Sequence, residues 1–421
     1  MSPSSWKYPP PLLGNGTSEE RRLVLRVLSA GLKAADPERL TSTHLSSSKG
    51  KLLAEGFDLG KDPFVISVGK ASAGMAWAAF NAGARRGLVV TPRGYQSWAI
   101  PFRHLEANHP TPDDSSIRAG QEVTNAVETE DNILMLLSGG ASSLMELPED
   151  GLGLEDLAWV YQTLTSQGTT IGTLNEVRKH LSSLKGGKLA AHCRGKLVTL
   201  VLSDVPGDRL ADVASSPTIP ARTDFDWLRR TLEGFGELPS GLRRFLGAGK
   251  ESPASARPTF LVGGNRTAVA GAVRAAAELG FPAKTARLAG EASAAGRRIA
   301  KKRFEGFLVL GGETTVEFKG AAVGIGGRNQ ELALASSILL ERGAAVGALA
   351  TDGVDGPTPY AGALVAELEL TEQEALDCLK MHDSSSCLER ENALLTTGPT
   401  GTNVSDLVVA FKRSWAGASL S

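Results

Sequence analysis

What most restricts the fold of this chain is a pairing that recurs along it: a short apolar run stopped at once by a polar turn, usually carrying glycine. Ile133–Leu137 runs into Ser138-Gly139-Gly140-Ala141-Ser142-Ser143, and Phe64–Val68 into Gly69-Lys70-Ala71-Ser72. Lys196–Leu202 stops at Ser203-Asp204-Val205-Pro206-Gly207-Asp208, and Thr259–Val262 at Gly263-Gly264-Asn265-Arg266. Phe307–Leu310 ends in Gly311-Gly312-Glu313-Thr314, and Val346–Ala350 in Thr351-Asp352-Gly353-Val354-Asp355-Gly356-Pro357-Thr358. Short continuous apolar runs bounded by turn residues are buried strands. Segments with helical spacing lie between them, beginning with Ser18 and the Leu23, Leu25, Val27, Leu28, Leu32 stripe. Alternating strands and helices predict an α/β fold with mainly parallel sheets covered by helices on both faces.

Length then sets the number of cores. At 421 residues the chain exceeds one typical core. The economical architecture is two doubly wound three-layer α/β/α domains with an interdomain cleft. Residues 235–258 are rich in Gly, Pro and Ser and read as the boundary. That gives residues 1–250 as a Rossmann-like N-terminal domain and 251–421 as a C-terminal domain, with the last segment a candidate to pack back on the first. Residues 1–17 read as an irregular arm.

Composition excludes some classes of function. The formal net charge of −1 leaves no footprint for nucleic acid or a membrane surface. No apolar stretch is long enough to span a bilayer, and the N-terminus lacks an apolar signal region. Cys193, Cys378 and Cys387 are few and lack metal-type spacing, so they read as core thiols in a cytoplasmic setting, although Cys378 and Cys387 are open to pairing.

In open α/β sheets, ligands bind at the carboxyl ends of strands, where these polar turns fall. The turns and the segments after them carry cations (Lys70, Arg178, Lys179, Lys185, Lys188, Arg328) and carboxylates (Asp204, Asp208, Glu313, Asp352, Asp355). Glycine turns, cations and acids together suit a phosphate-bearing substrate with Mg²⁺. Each residue also has a plainer reading. Lys179 and Lys188 could be solvated helix charges, Asp204 and Asp208 turn or cap residues, and His109 and His180 hydrogen-bonded structural residues.

The motif set as a whole resembles the glycerate 2-kinases, whose C-terminal part is the MOFRL domain. The matching segments are VISVGKASAGMA, ANHPTPDDSS, LLSGGASSLMELP, LNEVRKHLSSLKGGKLA, LSDVPGDRLADVASSPT, GGETTV, GGRNQELALA, ATDGVDGPT and TTGPTGTNVSDL, spanning residues 64 to 407. The family's SGGGSALL stands here as SGGASSLM (Ser138–Met145), and its ASGPT as Ala214-Ser215-Ser216-Pro217-Thr218. The resemblance implies ATP-dependent phosphorylation of D-glycerate at the 2-hydroxyl, a divalent cation, and Lys70 and Arg328 as basic residues of the cleft.

On this basis Lys70, Arg328, Asp208 and Asp355 are the expected catalytic residues. Ser138, Gly139, Gly140, Ser142, Lys185, Gly264, Asn265 and Glu313 are expected to bind nucleotide, and Asp204 and Asp208 to hold Mg²⁺. The expected partners are D-glycerate and ATP, with a homodimer as one possible assembly. An NAD(P)-dependent hydroxypyruvate reductase is the alternative, although no GxGxxG turn follows a strand. A sugar-phosphate sensor without turnover is a third reading.

Overall fold

The structure is a computed structural model that describes residues 18–413 apart from 96–99, 170, 222–223 and 319–323. The N-terminal arm read over residues 1–17 lies outside the described residues. The chain divides into a central unit, residues 37–262, and a discontinuous unit made of residues 1–36 with 263–421. The expected split at residue 250 is therefore corrected at both ends. Helix α1 (Glu19–Ala34) belongs with the C-terminal part of the chain. Its N-cap is Ser18, whose Oγ accepts the Arg21 amide at 3.2 Å. The apolar stripe Val24, Val27, Leu28 and Leu32 is buried against the sheet of that unit.

The central unit opens with α2 (Pro37–Ser42) and three short antiparallel strands, β1 (Leu45–Ser48), β2 (Lys51–Ala54) and β3 (Phe57–Asp58). Its main sheet comprises β4 (Phe64–Val68), β5 (Arg86–Pro92), β6 (Arg103–Ala107), β7 (Asn132–Ser138), β8 (Lys196–Leu202) and β9 (Thr259–Gly263). Their spatial order is β6-β5-β4-β7-β8-β9, and the pairs from β6 through β8 are parallel. The order reverses between β4 and β7, so the GKAS and SGGASS turns leave the sheet at a topological switch point. Helices α3 (Ser72–Asn81), α4 (Asp114–Thr129), α5 (Ala141–Leu144), α6 (Leu154–Ser166), α7 (Ile171–Leu181), α8 (Lys188–His192), α9 (Phe225–Glu233) and α10 (Ser240–Ala248) complete the unit. Leu157, Val160, Leu228, Leu242 and Phe245, from α6, α9 and α10, share a separate small core. Residues 235–258, read as a boundary, thus include a packed helix.

The discontinuous unit continues with α11 (Asn265–Glu278), β10 (Ala283–Leu288), α12 (Ala292–Lys301), β11 (Gly306–Gly312), α13 (Arg328–Ser337), β12 (Ala344–Ala350) and β13 (Gly362–Val365). It closes with α14 (Glu372–Lys380), α15 (Ser384–Arg390), β14 (Leu394–Leu395) and β15 (Asp406–Lys412). The sheet order is β10-β11-β15-β12-β13-β14. β10 and β11 pair in parallel; the other pairs are antiparallel. The α/β architecture stands, but parallel pairing dominates only in the central unit. β15 inserts between β11 and β12 in the opposite sense, so the chain's last strand is central to this sheet.

Cys378 and Cys387 form a disulfide between α14 and α15, with Cα atoms 6.5 Å apart, which corrects their reading as free core thiols. Cys193 is free and buried. Among the described residues, no helix is long and apolar enough to cross a membrane.

Helix α1 lies directly on the buried strand β12, where a Cβ at Gly347 would meet Leu28 Cδ1 at 2.6 Å. Leu28→Ala is expected to destabilise the protein by about 2–5 kcal/mol, seen as a lower urea midpoint. An unmoved midpoint would remove α1 from the core of this unit.

Candidate functional site

In the central unit, the β4 and β7 turns are stapled together. Gly69 has φ +129°, and a Cβ there would sit 2.1 Å from Ser138 Oγ, so only glycine fits. The Ala71 amide donates to Ser138 Oγ at 3.0 Å, and the Lys70 amide to the Gly139 carbonyl at 2.9 Å. A Cβ on Gly140 would lie 3.1 Å from the His109 ring and 3.4 Å from Lys70 Cγ, so both side chains flank that glycine. The His109–Pro110 peptide is cis.

Next to this turn, Ser142 Oγ lies 2.9 Å from Ser215 Oγ. Ser215 is the middle of three consecutive non-glycine residues with φ between 53° and 55°, Ala214, Ser215 and Ser216. Such a run is costly and persists only when its surroundings over-determine it. Here the Gly186 and Gly187 amides donate to the Ser215 and Ser216 carbonyls at 3.0 and 2.8 Å. Ser216, where the family has glycine, keeps the left-handed conformation that glycine would adopt. After β8, Asp208 also has a positive φ, 55°, and its Oδ1 is buried with no hydrogen-bond partner among the described residues.

Several expected roles change at this point. Ser138 is fully buried and its hydroxyl is engaged by Ala71, so it braces the turn and is removed from the nucleotide-binding set. Helix α5 is only four residues long, which leaves little macrodipole for an anion. Lys185 is 1% exposed and ion-paired with the buried Glu146, so its charge is committed inside the unit. Lys188, also 1% exposed, contacts Glu149 at 2.6 Å and Glu251 at 3.0 Å. Lys179 reaches Glu176 and Asp212 at 3.1 and 3.5 Å. Neither Lys179 nor Lys188 is a solvated helix charge. His180 pairs with Glu251, which agrees with its structural reading. Arg178 stacks over the Tyr161 ring at 4.6 Å.

In the discontinuous unit, the centre is Arg328, the first residue of α13. Its Nε and Nη2 donate to Asp406 at 2.6 and 2.9 Å, and Nη1 pairs with Glu313 at 2.7 Å. Burial alone would lower the Arg328 pKa; Asp406 and Glu313 outweigh it, so the guanidinium stays charged well above its usual range. Asp406 is fully buried. Sequence reasoning misses it because it closes the turn before an apolar strand, where an aspartate reads as a cap. Asn265 Nδ2 donates to the Val404 and Asp406 carbonyls at 2.8 and 2.9 Å. Asn265 and the buried Gly264 therefore secure the approach to β15 and leave the nucleotide-binding set. Glu313, through its pair with Arg328, becomes a holder of that side chain.

Asp355 caps α13, accepting the Asn329 and Gln330 amides at 3.1 and 2.9 Å. At 1% exposure and so engaged, it is a structural cap, which overturns its reading as proton acceptor. A Cβ at Gly353 would meet the Gly398 carbonyl at 2.0 Å, and the Thr400 amide donates to the Asp352 carbonyl at 3.1 Å. The TDGVDGPT and TGPTGTN turns are thereby locked together. Lys70, Asp204 and Asp208 belong to the central unit and Arg328 to the discontinuous one. Among the described residues, no group of three or more His, Cys, Asp or Glu is arranged as a metal site. Mg²⁺ commonly takes only one or two carboxylates and completes its shell with phosphate and water, and the orphaned Asp208 oxygen fits that use.

Burial, opposed by the α13 amides, raises the Asp355 pKa from 3.8 to about 6. The native state therefore binds a proton that the unfolded chain releases, and stability falls as pH rises through this window. Asp355→Asn keeps an acceptor for the cap but cannot titrate. The wild type is expected to lose roughly 3 kcal/mol more than the variant between about pH 4 and pH 7 in urea titrations. Parallel curves would contradict the burial argument.

Known proteins resemble this chain over nearly its whole length. Residues 23–246 match DUF4147, a domain of unknown function, and residues 306–406 match the MOFRL family. A glycerate 2-kinase of Pyrococcus horikoshii is 37% identical, covering 94% of this chain and 98% of the relative. A protein of Agrobacterium vitis named as a hydroxypyruvate reductase is 35% identical over 92% of this chain and 93% of its own length. The crystal structure of glycerate kinase from Thermotoga maritima superposes with a TM-score of 0.79 at 35% identity, covering 93% of this chain and 99% of that one. With its strand-end turns and near full-length similarity, the chain belongs to the MOFRL-type glycerate 2-kinase family.

Proposed function

We propose that this enzyme transfers the γ-phosphoryl group of ATP to the 2-hydroxyl of D-glycerate, giving 2-phosphoglycerate and ADP. The observation that carries the reading is the near full-length similarity to glycerate 2-kinases, with Lys70 in the turn after β4 and Arg328 at the start of α13, each next to glycine. Phosphoryl transfer asks a protein mainly for positioning and for neutralisation of charge. In this reading the Gly139-Gly140 turn and Ser142 cradle phosphate oxygens through their donors. Lys70 supplies a point charge beside them. Arg328 supplies a planar fork for the glycerate carboxylate or the transferred group. Asp208 accepts the proton of the 2-hydroxyl or, with Asp204, holds Mg²⁺. Bound there, Mg²⁺ would neutralise phosphate charge. A cytoplasmic setting would supply its ATP.

The reductase name borne by a relative is not favoured. A dinucleotide fold places G-x-G-x-x-G after its first strand, and the strand-end turns here read GKAS and SGGASS. Steady-state assays with ATP, Mg²⁺ and D-glycerate test the assignment. Lys70→Ala and Arg328→Ala are each expected to lower kcat/KM by about 10²-fold or more. NAD(P)H absorbance should not change with hydroxypyruvate. Two folded variants with near wild-type kcat/KM would show that the residues are wrongly assigned, and consumption of NAD(P)H would restore the reductase.

A further inference from the structure

The Cys378–Cys387 disulfide encloses residues 379–386, and those residues do something that no family likeness assigns. They hold the turn that delivers Arg328. The Gly324 amide donates to the Met381 carbonyl at 2.7 Å, and the Ile325 amide to Asp383 Oδ1 at 3.0 Å. The Ser385 amide returns a bond to the Ile325 carbonyl at 2.9 Å, and Ser385 Oγ donates to Gln330 Oε1. His382 Nδ1 meets Glu331 at 2.5 Å. A Cβ on Gly326 would lie 2.3 Å from Ser384 Oγ, so the two segments are in close contact. Between Met381 and Ser385, all five residues thus touch the stretch 324–331, on both sides of Arg328.

We propose that residues 381–385 are a positioning brace for Arg328, and that the disulfide closing this segment makes the brace sensitive to thiols. Short loops closed by a covalent bond lose little entropy when they order. Opening the bond returns that freedom to the segment whose Asp383 carboxylate and Ser385 amide fix Ile325, whose Ser385 hydroxyl fixes Gln330 and whose His382 ring fixes Glu331. The chemistry is exchange with a dithiol. A thiolate of the reductant attacks one sulfur and the S–S bond breaks. Two electrons pass to the protein, Cys378 and Cys387 each take up a proton, and the reductant closes to its own disulfide. The effect on turnover rests on the kinase reading of Arg328; the effect on the brace does not.

Two readouts keep these apart. Hydrogen exchange of a peptide covering residues 325–331 reports the brace, and kcat and KM with ATP, Mg²⁺ and D-glycerate report the chemistry. In the wild type, dithiothreitol is expected to raise exchange in this peptide and lower kcat several-fold, with KM for ATP moved less; reoxidation restores both. Cys378→Ser/Cys387→Ser should begin in the loosened state and ignore dithiothreitol. Asp383→Asn, which leaves both cysteines in place, should loosen the same peptide in the oxidised protein. Unchanged exchange on reduction, with mass spectrometry confirming two new thiols, would overturn the brace. Raised exchange with unchanged kcat would overturn its control of Arg328. Full activity in Arg328→Ala would instead count against the role given to Arg328 in the kinase reading and leave the exchange result standing.

Discussion

A guanidinium placed beside a buried carboxylate organises one end of the discontinuous sheet. Asp406 begins β15 and lies opposite Gly312 of β11 and Ala350 of β12 in the register. The turns leaving β11 and β12 therefore emerge on either side of it, and α13 begins where its carboxylate can grip Arg328. A charge held this deep is costly unless its hydrogen bonds are complete. Its neighbours follow from that requirement. Glu313 takes the remaining edge of the guanidinium, Asn265 holds the main chain around Asp406, and Asp355 caps the helix that carries the arginine. The result is a cation fixed in place but still a third exposed.

The central unit uses the same physics for a different purpose. Lys185 with Glu146, and Lys188 with Glu149 and Glu251, are buried pairs whose charges never meet solvent. They anchor the segment whose Gly186 and Gly187 amides hold the left-handed run Ala214-Ser215-Ser216. That run in turn presents Ser215 to Ser142 in the turn after β7. The conformational cost of the left-handed residues is thus met away from Lys70, by ion pairs that the sequence does not distinguish from ligand-binding cations.

Much of this is readable in the sequence. The apolar runs at Phe64–Val68, Ile133–Leu137, Lys196–Leu202 and Val346–Ala350 announce their strands because continuous burial leaves little alternative. β10 lies at the sheet edge with Lys284, Thr285 and Arg287 exposed, and β13 is only four residues long; AKTARL is too polar and GALV too short to signal a strand. Strand direction is hidden as well. A central strand is apolar whichever way it runs, so β15 reads the same parallel or antiparallel. The boundary fails because α1 carries its apolar stripe to a sheet whose strands begin only at Ala283. At the site, Lys70 and Arg328 stand out at glycine turns, whereas Ser138, Lys185, Asn265 and Asp355 carry the same residue types in structural posts. Burial sets Ser138, Lys185 and Asp355 apart, and the hydrogen bonds to the Val404 and Asp406 carbonyls set Asn265 apart. Asp406 escapes notice because an aspartate at the start of an apolar strand looks like a cap.

The central claim is that Arg328 works only as Asp406 holds it. A double-mutant cycle on kcat/KM with Arg328→Ala, Asp406→Asn and the double variant tests it most directly, with folding of each checked by thermal melting. The account predicts strong non-additivity: Asp406→Asn costs about 10-fold or more in the wild type and almost nothing once Arg328 is gone, a coupling of roughly 1.4 kcal/mol or more. Additive losses in folded proteins would mean that the two residues act independently, and the account would fail.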